Sequence, residues 1–105
     1  MGIAIVTGAS RGIGASVASK LAALDHSVCV NYRQQSNAAN QLVESILNQG
    51  GQAIAVQADV ADENQVKEMF DTVHQQLGRI DMLVNNAGIV ERLSLIHISE
   101  PTRPY

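Results

Sequence analysis

The feature that most restricts the fold is a regular alternation of short apolar runs with longer segments of helical spacing. The runs are rich in β-branched residues, as in strands that are buried on both faces. The four runs span residues 3–7, 27–31, 52–58 and 80–85. The helical segments span residues 12–24, 41–47 and 62–77. This βαβαβαβ order with short connections predicts an α/β fold, a parallel sheet covered by helices.

Each helical segment carries an apolar stripe that we expect to face the sheet. The expected buried positions of the first segment are Ile13, Val17, Leu21 and Leu24. Those of the second are Leu42, Val43, Ile46 and Leu47, and those of the third are Val66, Met69, Phe70, Val73 and Leu77. Asp62 followed by Gln65 has the spacing of a capping box, which predicts where the third helix starts.

Charge and composition exclude several classes of function. The chain has 105 residues and a formal net charge of -3, and no basic run supports nucleic-acid binding. The first residues read as a strand and not as a signal peptide, and no apolar stretch approaches the length of a membrane span. Cys29 is the single cysteine, so a disulfide within the chain is excluded. We therefore expect a cytoplasmic protein without a membrane partner.

A glycine-rich connection joins the first strand to the first helix. Gly8 allows a tight turn, Gly12 leaves room for a diphosphate against the backbone, and Gly14 lets the helix pack close to the sheet. The helix start then offers N–H groups and a partial positive charge to that diphosphate. The spacing Gly-x-x-x-Gly-x-Gly differs from the Gly-x-Gly-x-x-Gly of most dinucleotide folds, and by itself it also fits a purely structural turn.

The end of the second strand bears on which dinucleotide is bound. An NAD site usually has an acid here that holds the ribose 2′-hydroxyl, but this chain has Tyr32-Arg33, and its next acid is Glu44. Arg33 and Arg11 are suited to clamp a 2′-phosphate, since guanidinium groups bind phosphate oxygens in a bidentate fork. NADP is therefore favoured over NAD. The alternative is that both arginines are solvated surface charges.

Two further segments fall where a dinucleotide needs contacts, at the carboxyl ends of the third and fourth strands. Asp59-Val60 is placed to reach the adenine, although Asp59 also fits a turn that leads into the helix cap. Asn86-Ala87-Gly88 is small enough to let a cofactor lie across the sheet. The paired asparagines also fit a structural role, in which they tie neighbouring strand ends together.

Together these segments resemble the classical short-chain dehydrogenase/reductase family over residues 2 to about 90. The resemblance implies the amino-terminal half of a Rossmann-type doubly wound sheet, a homo-oligomeric intact enzyme, and hydride transfer between NADP(H) and a carbonyl or alcohol substrate. Within the family the stretch 30–33 is similar to the 3-oxoacyl-acyl-carrier-protein reductase and glucose 1-dehydrogenase branch. The implied cofactor-binding residues are Gly8, Ala9, Ser10, Arg11, Gly12, Ile13, Gly14, Tyr32, Arg33, Asp59, Val60, Asn86, Ala87 and Gly88.

The family's catalytic Tyr-x-x-x-Lys motif is not found in this sequence. Ser36 stands where Tyr32 would need its lysine, and Tyr105 is the last residue. We expect no catalytic residue, an open edge on the fourth strand and no hydride transfer by these residues alone. The three histidines and Cys29 lack the spacing of metal ligands, and Cys29 is expected to be an inert packing thiol.

The sequence changes character after residue 92. Residues 93–105 have no clean period and contain both prolines, and part of the stretch back-translates into DNA that resembles a transposase adapter for sequencing libraries. We therefore divide the chain into a dinucleotide-binding fragment, 1–92, and a tail foreign to the native fold, 93–105. The alternative to a truncated oxidoreductase is a stand-alone, non-catalytic NADP(H)-binding module.

Overall fold

The computed structural model describes residues 2–10, 12–86 and 103–104. The strands are β1 (Ile3–Val6), β2 (Ser27–Tyr32), β3 (Gln52–Gln57), β4 (Met82–Val84) and β5 (Arg103–Pro104). The helices are α1 (Gly12–Ala23), α2 (Ser36–Asn48) and α3 (Glu63–Gln76). All strand pairs are parallel, in the order β3-β2-β1-β4-β5. The predicted Rossmann-type α/β architecture is confirmed.

The order of the strands reverses at β1. The chain runs outward from β1 to β3 and then crosses back, so that β4 pairs with β1 on its other side. Such a reversal separates the connections that leave the two central strands and opens a crevice at their carboxyl ends. The turn after β1 and the residues after β4 meet at this position.

Two apolar layers cover the sheet. One layer contains α1 and α2 and includes Val6, Val28, Val30 and Ile46; the other contains α3 and includes Ile5, Leu83, Met69 and Phe70. Successive residues of β1 and β2 alternate between these layers, which accounts for strands that are apolar throughout.

The buried face of α1 differs from the expected one. Ile13 and Leu24 are 75% and 64% exposed, whereas Gly14, Ala18 and Ala22 are buried. The small residues recur every four positions on the face that contacts the sheet, so the helix backbone can approach closely. The predicted buried face consisted of the larger side chains, and the prediction was wrong for Ile13 and Leu24.

The remaining boundaries differ by a few residues. α2 begins at Ser36, five residues before the predicted start. The prediction missed these residues because they carry no apolar period, although Ala39 among them is fully buried. The predicted α2 residue Leu47 is half exposed. β4 is shorter than predicted, and Arg103–Pro104 pair with Met82 and Leu83, so the expected open edge is wrong for those two positions. Residues 93–102 and 105 lie outside the described residues, and their foreign origin stays a prediction.

Candidate dinucleotide-binding site

The glycine turn between β1 and α1 has backbone geometry that favours glycine. Gly8 and Gly12 have positive φ angles of 59° and 67°. A Cβ on Gly14 would lie 2.5 Å from the Gly8 carbonyl oxygen and 2.6 Å from Nδ2 of Asn86, so Gly14 is required for close packing. A Cβ on Gly12 would have no described atom within 4 Å, which leaves open space beside the backbone. This combination of a tight inner side and an open outer side fits a diphosphate.

The first turn of α1 borders the same open space. Its leading N–H groups have no partner within the helix and carry the positive end of the helix dipole. Ile13, which follows Gly12, points an exposed side chain outward. Arg11, one of the two predicted phosphate ligands, lies outside the described residues.

Asn31 connects the glycine turn to two strands. Its Oδ1 accepts a hydrogen bond from the Gly8 N–H at 3.2 Å, and its Nδ2 donates to the carbonyls of Val56 and Ala58 at 3.3 and 3.2 Å. Its own carbonyl accepts from the Ala9 N–H at 2.8 Å. Because Asn31 is only 2% exposed, these contacts are shielded from water and fix the turn against β2 and β3.

Thr7 and Asn86 make the corresponding connection toward β4. The Thr7 hydroxyl oxygen accepts from the Asn86 N–H at 2.9 Å and lies 3.2 Å from Oδ1 of Asn85. Nδ2 of Asn86 donates to the Gly8 carbonyl at 3.1 Å. Nδ2 of Asn85 is buried with no hydrogen-bond partner in the described structure. The proposed structural role of the paired asparagines is thus present, alongside any role in binding.

Arg33 and Asp59 lie side by side at the ends of β2 and β3. Nε of Arg33 is 3.7 Å from Oδ2 of Asp59, and the two side chains are 70% and 31% exposed. Nε2 of Gln57 donates to the Arg33 carbonyl at 3.0 Å. Tyr32, next to Arg33, is half-buried and packs against the layer of α1 and α2. Arg33 is therefore a partly paired cation at the carboxyl ends of β2 and β3.

Asp59 also forms the turn that the sequence allowed as the alternative to adenine binding. Its Oδ1 accepts from the Ala61 N–H at 2.9 Å, and its carbonyl accepts from the Asp62 N–H at 2.9 Å. Asp62 caps α3 through the N–H groups of Asn64 and Gln65, as the capping box predicted. The Gln65 side chain reaches back to the Asp59 N–H instead of that of the cap residue. The carboxylate thus has one oxygen in the turn and the other beside Arg33.

The other predicted site residues have mixed positions. Val60 is 8% exposed and belongs to the apolar layer under α3, so only its backbone borders the edge of the sheet. Ala9 is fully buried beneath the turn, and Ser10 is half-buried. Ala87 and Gly88 lie outside the described residues.

The alternative chemistries considered from the sequence gain no support. Burial raises the pKa of the Cys29 thiol from 9.0 to about 12, so the thiol stays protonated and unreactive at neutral pH. Among the described residues, no three histidine, cysteine or acidic side chains are grouped as metal ligands. No helix in the described part is long and apolar enough to cross a membrane. Asp81 accepts a hydrogen bond from the Ile3 N–H at 3.0 Å, which ties the start of β4 to β1.

Sequence reasoning missed three residues that shape the site: Asn31, Thr7 and Gln57. A signal existed for Asn31, because an amide in an otherwise apolar strand needs buried partners. Thr7 directly precedes the first glycine, where a hydroxyl can bond to a neighbouring strand end. Gln57 gave no signal, since its partner is the backbone carbonyl of Arg33, just after another strand.

Comparison with known proteins gives the family of the chain. Residues 2–102 match the model of the short chain dehydrogenase family. The chain is 49% identical over 96 residues to a 3-oxoacyl-acyl-carrier-protein reductase of Synechocystis sp., covering 91% of the chain and 39% of that protein. It is 46% identical over 97 residues to the 3-oxoacyl-acyl-carrier-protein reductase FabG of Staphylococcus aureus, covering 92% and 39%. The chain thus spans about two fifths of the length of these curated relatives.

Solved structures show the same fold. A dehydrogenase/reductase from Sinorhizobium meliloti superposes with a TM-score of 0.81 at 39% identity, over 84% of this chain and 35% of that one. A metagenomic blue fluorescent protein in complex with NADPH gives 0.79 at 44% identity, over 84% and 36%. A 7α-hydroxysteroid dehydrogenase complexed with NADH and 7-oxo glycochenodeoxycholic acid gives 0.77 at 38% identity, over 80% and 32%. The chain belongs to the short chain dehydrogenase family.

Proposed function

We propose that this member of the family provides the NADP(H)-binding part of an oxidoreductase that acts on a carbonyl or alcohol group of a small molecule. The observation that carries the proposal is the crevice between β1 and β4, where the glycine turn is fixed by Asn31 on one side and by Asn86 on the other. When bound there, the cofactor supplies or accepts the hydride. The residues of this chain hold and orient it.

In this proposal each segment binds a different part of the dinucleotide. The turn Gly8–Gly14 and the start of α1 hold the diphosphate, because their N–H groups and open backbone suit an anion. Arg33, together with Arg11, binds the ribose 2′-phosphate. The turn at Asp59-Val60 borders the adenine. Asn86, with Ala87 and Gly88 after it, lines the path toward the nicotinamide.

The preference for NADP(H) depends on charge at the end of β2. Arg33 is the cation that the structure describes there, and an acid that would bind the 2′-hydroxyl of NAD is missing from that position. The relatives leave both cofactors open, since one solved structure contains NADPH and another NADH. A hydrogen bond to a charged group contributes roughly 1.5–3 kcal/mol, which corresponds to roughly a 10- to 150-fold preference.

We further propose a substrate of the 3-oxoacyl-thioester or sugar class, as in the branch that the sequence resembles. The curated relatives named as 3-oxoacyl-acyl-carrier-protein reductases support the first class. The catalytic acid is expected outside this stretch, in a Tyr-x-x-x-Lys segment of the intact gene product. We infer a homo-oligomeric enzyme, as the resemblance implies, and a cytoplasmic location, which fits the free and buried thiol of Cys29.

Titration of the purified chain with NADPH and with NADH tests the cofactor assignment. We expect tighter binding of NADPH, and loss of that preference in Arg33→Ala while NADH binding is unchanged. Equal affinity for both cofactors in the unmodified chain would contradict the assignment.

The enzymatic assignment needs a separate test. Resequencing the source DNA across the codon for Arg92 should reveal a frame that continues into a Tyr-x-x-x-Lys segment. That longer product should oxidise NADPH with a 3-oxoacyl thioester or reduce NADP with a sugar. A frame that ends at Tyr105, together with tight NADPH binding, would instead favour the stand-alone binding module.

A further inference from the structure

Arg33 is held at two points although its side chain is largely exposed. Gln57 fixes the main chain by donating to the Arg33 carbonyl at 3.0 Å, and Asp59 lies 3.7 Å from the guanidinium Nε. Gln57 is the last residue of β3, and Asp59 follows it by two residues; β3 pairs with β2 through Tyr32 and Gln57. An exposed arginine normally samples many rotamers, and ordering it on binding reduces affinity. The contact to the Arg33 carbonyl and the contact to its guanidinium reduce that freedom before a ligand arrives.

The carboxylate of Asp59 is itself fixed by its turn. Oδ1 accepts from the Ala61 N–H at 2.9 Å, and the Asp59 N–H donates to Oε1 of Gln65 at 2.9 Å. With one oxygen and the main chain held, the second oxygen has a defined place beside Arg33. The contact uses Nε, and an end-on fork to a phosphate uses the two terminal nitrogens. One guanidinium is able to make both contacts at once.

We propose that Gln57 and Asp59 are positioning residues for Arg33 and thereby determine the preference for a ribose 2′-phosphate. This inference rests on the proposed NADP(H) function of the same site. Neither residue needs to touch the phosphate. Gln57 sets where the arginine leaves the sheet, and Asp59 sets how its guanidinium is oriented.

Asp59 has a second, opposite effect on a phosphate ligand. Its negative charge repels the phosphate, and this repulsion acts whether or not an arginine stands at position 33. A single substitution at Asp59 therefore mixes lost orientation with relieved repulsion. A double-mutant cycle with Arg33 cancels the repulsion and isolates the orientation.

The cycle uses the chain, Asp59→Asn, Arg33→Ala and the double variant, each titrated with 2′,5′-ADP and 5′-AMP. Asparagine keeps the size of the side chain and the acceptor for the Ala61 N–H. The measured quantity is the affinity for 2′,5′-ADP divided by the affinity for 5′-AMP. This ratio reports the contribution of the 2′-phosphate alone, because the two ligands differ only in that group. We expect Asp59→Asn to lower this ratio about two- to fivefold more in the unmodified chain than in the Arg33→Ala background, the range of exposed ion pairs. An equal effect in both backgrounds would overturn the role of Asp59.

Gln57→Ala tests the second contact, with Gln52→Ala as the matched control. Gln52 is an exposed glutamine at the other end of β3. We expect Gln57→Ala to lower the same ratio about two- to tenfold, the range of a single hydrogen bond, and Gln52→Ala to leave it unchanged. Urea unfolding of each variant identifies any loss that comes from misfolding. Equal ratios for the two variants would overturn the role of Gln57.

Failure of the NADP(H) function and failure of the positioning role give different results. If the unmodified chain binds 2′,5′-ADP no better than 5′-AMP, the NADP(H) function itself fails, and the inference fails with it. If the chain prefers 2′,5′-ADP and loses this preference in Arg33→Ala, but neither Asp59→Asn nor Gln57→Ala changes the ratio as stated, only the positioning role is wrong.

Discussion

Replacing Asn31 by alanine removes three side-chain hydrogen bonds at once, one of them buried and two partly buried. The N–H of Gly8 loses its acceptor, and the carbonyls of Val56 and Ala58 lose a donor. Asn31 is 2% exposed, so water does not readily replace these contacts. The substitution therefore separates the glycine turn from the ends of two strands.

The expected cost follows from these contacts. A hydrogen bond contributes about 1 kcal/mol net, and a buried group left without a partner costs about 1–3 kcal/mol. The two carbonyls have a second lone pair each, so the stranded Gly8 N–H is the costliest group. We expect the free energy of unfolding to fall by about 2–4 kcal/mol, a large share of the 5–15 kcal/mol of a typical domain.

Urea unfolding followed by circular dichroism measures the loss. Asn40→Ala is the matched control, because Asn40 is exposed on α2 and should change stability by no more than about 0.5 kcal/mol. Asn31→Asp sharpens the test, since it keeps the shape but replaces the donor to both carbonyls with a repelling oxygen. A loss below about 1 kcal/mol for Asn31→Ala, or an aspartate as stable as asparagine at pH 7, would refute the reasoning.

Three further predictions concern the turn, a helix cap and the buried thiol. Gly14→Ala sets a Cβ 2.5 Å from the Gly8 carbonyl oxygen and should lower the free energy of unfolding, measured in urea, by about 1–3 kcal/mol. The control is Gly12→Ala, whose Cβ has room and meets only the cost of a positive φ angle. Asp62→Ala removes the cap of α3 and should cost about 1 kcal/mol in the same assay; no loss would mean that the cap is replaced by solvent. The raised pKa of Cys29, about 12 against 9.0, means that the unfolded chain loses its thiol proton first. The free energy of unfolding should therefore fall as pH rises above 9.0, and Cys29→Ala should remove that part of the slope; identical pH profiles would contradict the burial argument.

The sequence predicted the order of the elements well and the packing of α1 poorly. Alternating apolar runs specify strands and helices because burial on both faces leaves few other solutions. The face that α1 presents depends instead on how closely it approaches the sheet. Ala18 and Ala22 pack there because they are small, whereas hydrophobic periodicity favours large residues such as Ile13 and Leu24. Distance of approach is a tertiary quantity, and local spacing does not contain it.

The sequence indicated which segments form the candidate site, but not how their side chains pair. Glycine spacing and the predicted strand ends indicated which segments meet at one edge of the sheet, and their role in binding stays a prediction. The pairing of Arg33 with Asp59 was not predicted, because it depends on the register between β2 and β3. The dual use of Asp59, in a turn and beside a cation, also appears only in three dimensions. Of the two alternatives for that residue, the turn is observed, and contact with the adenine stays a prediction.

The hydrogen bonds that close the glycine turn also link folding to ligand affinity. Thr7 and Gly8 meet Asn86 across separations of 79 and 78 residues, so the crevice forms only after β4 has docked. Contacts of such long range form late, since loop closure must come first. A ligand of this crevice therefore selects the fully docked sheet, and at 100 times its Kd it would add about 2.7 kcal/mol to stability. If the crevice binds NADP(H) as proposed, the supply of that ligand in the cell would act on the lifetime of the protein.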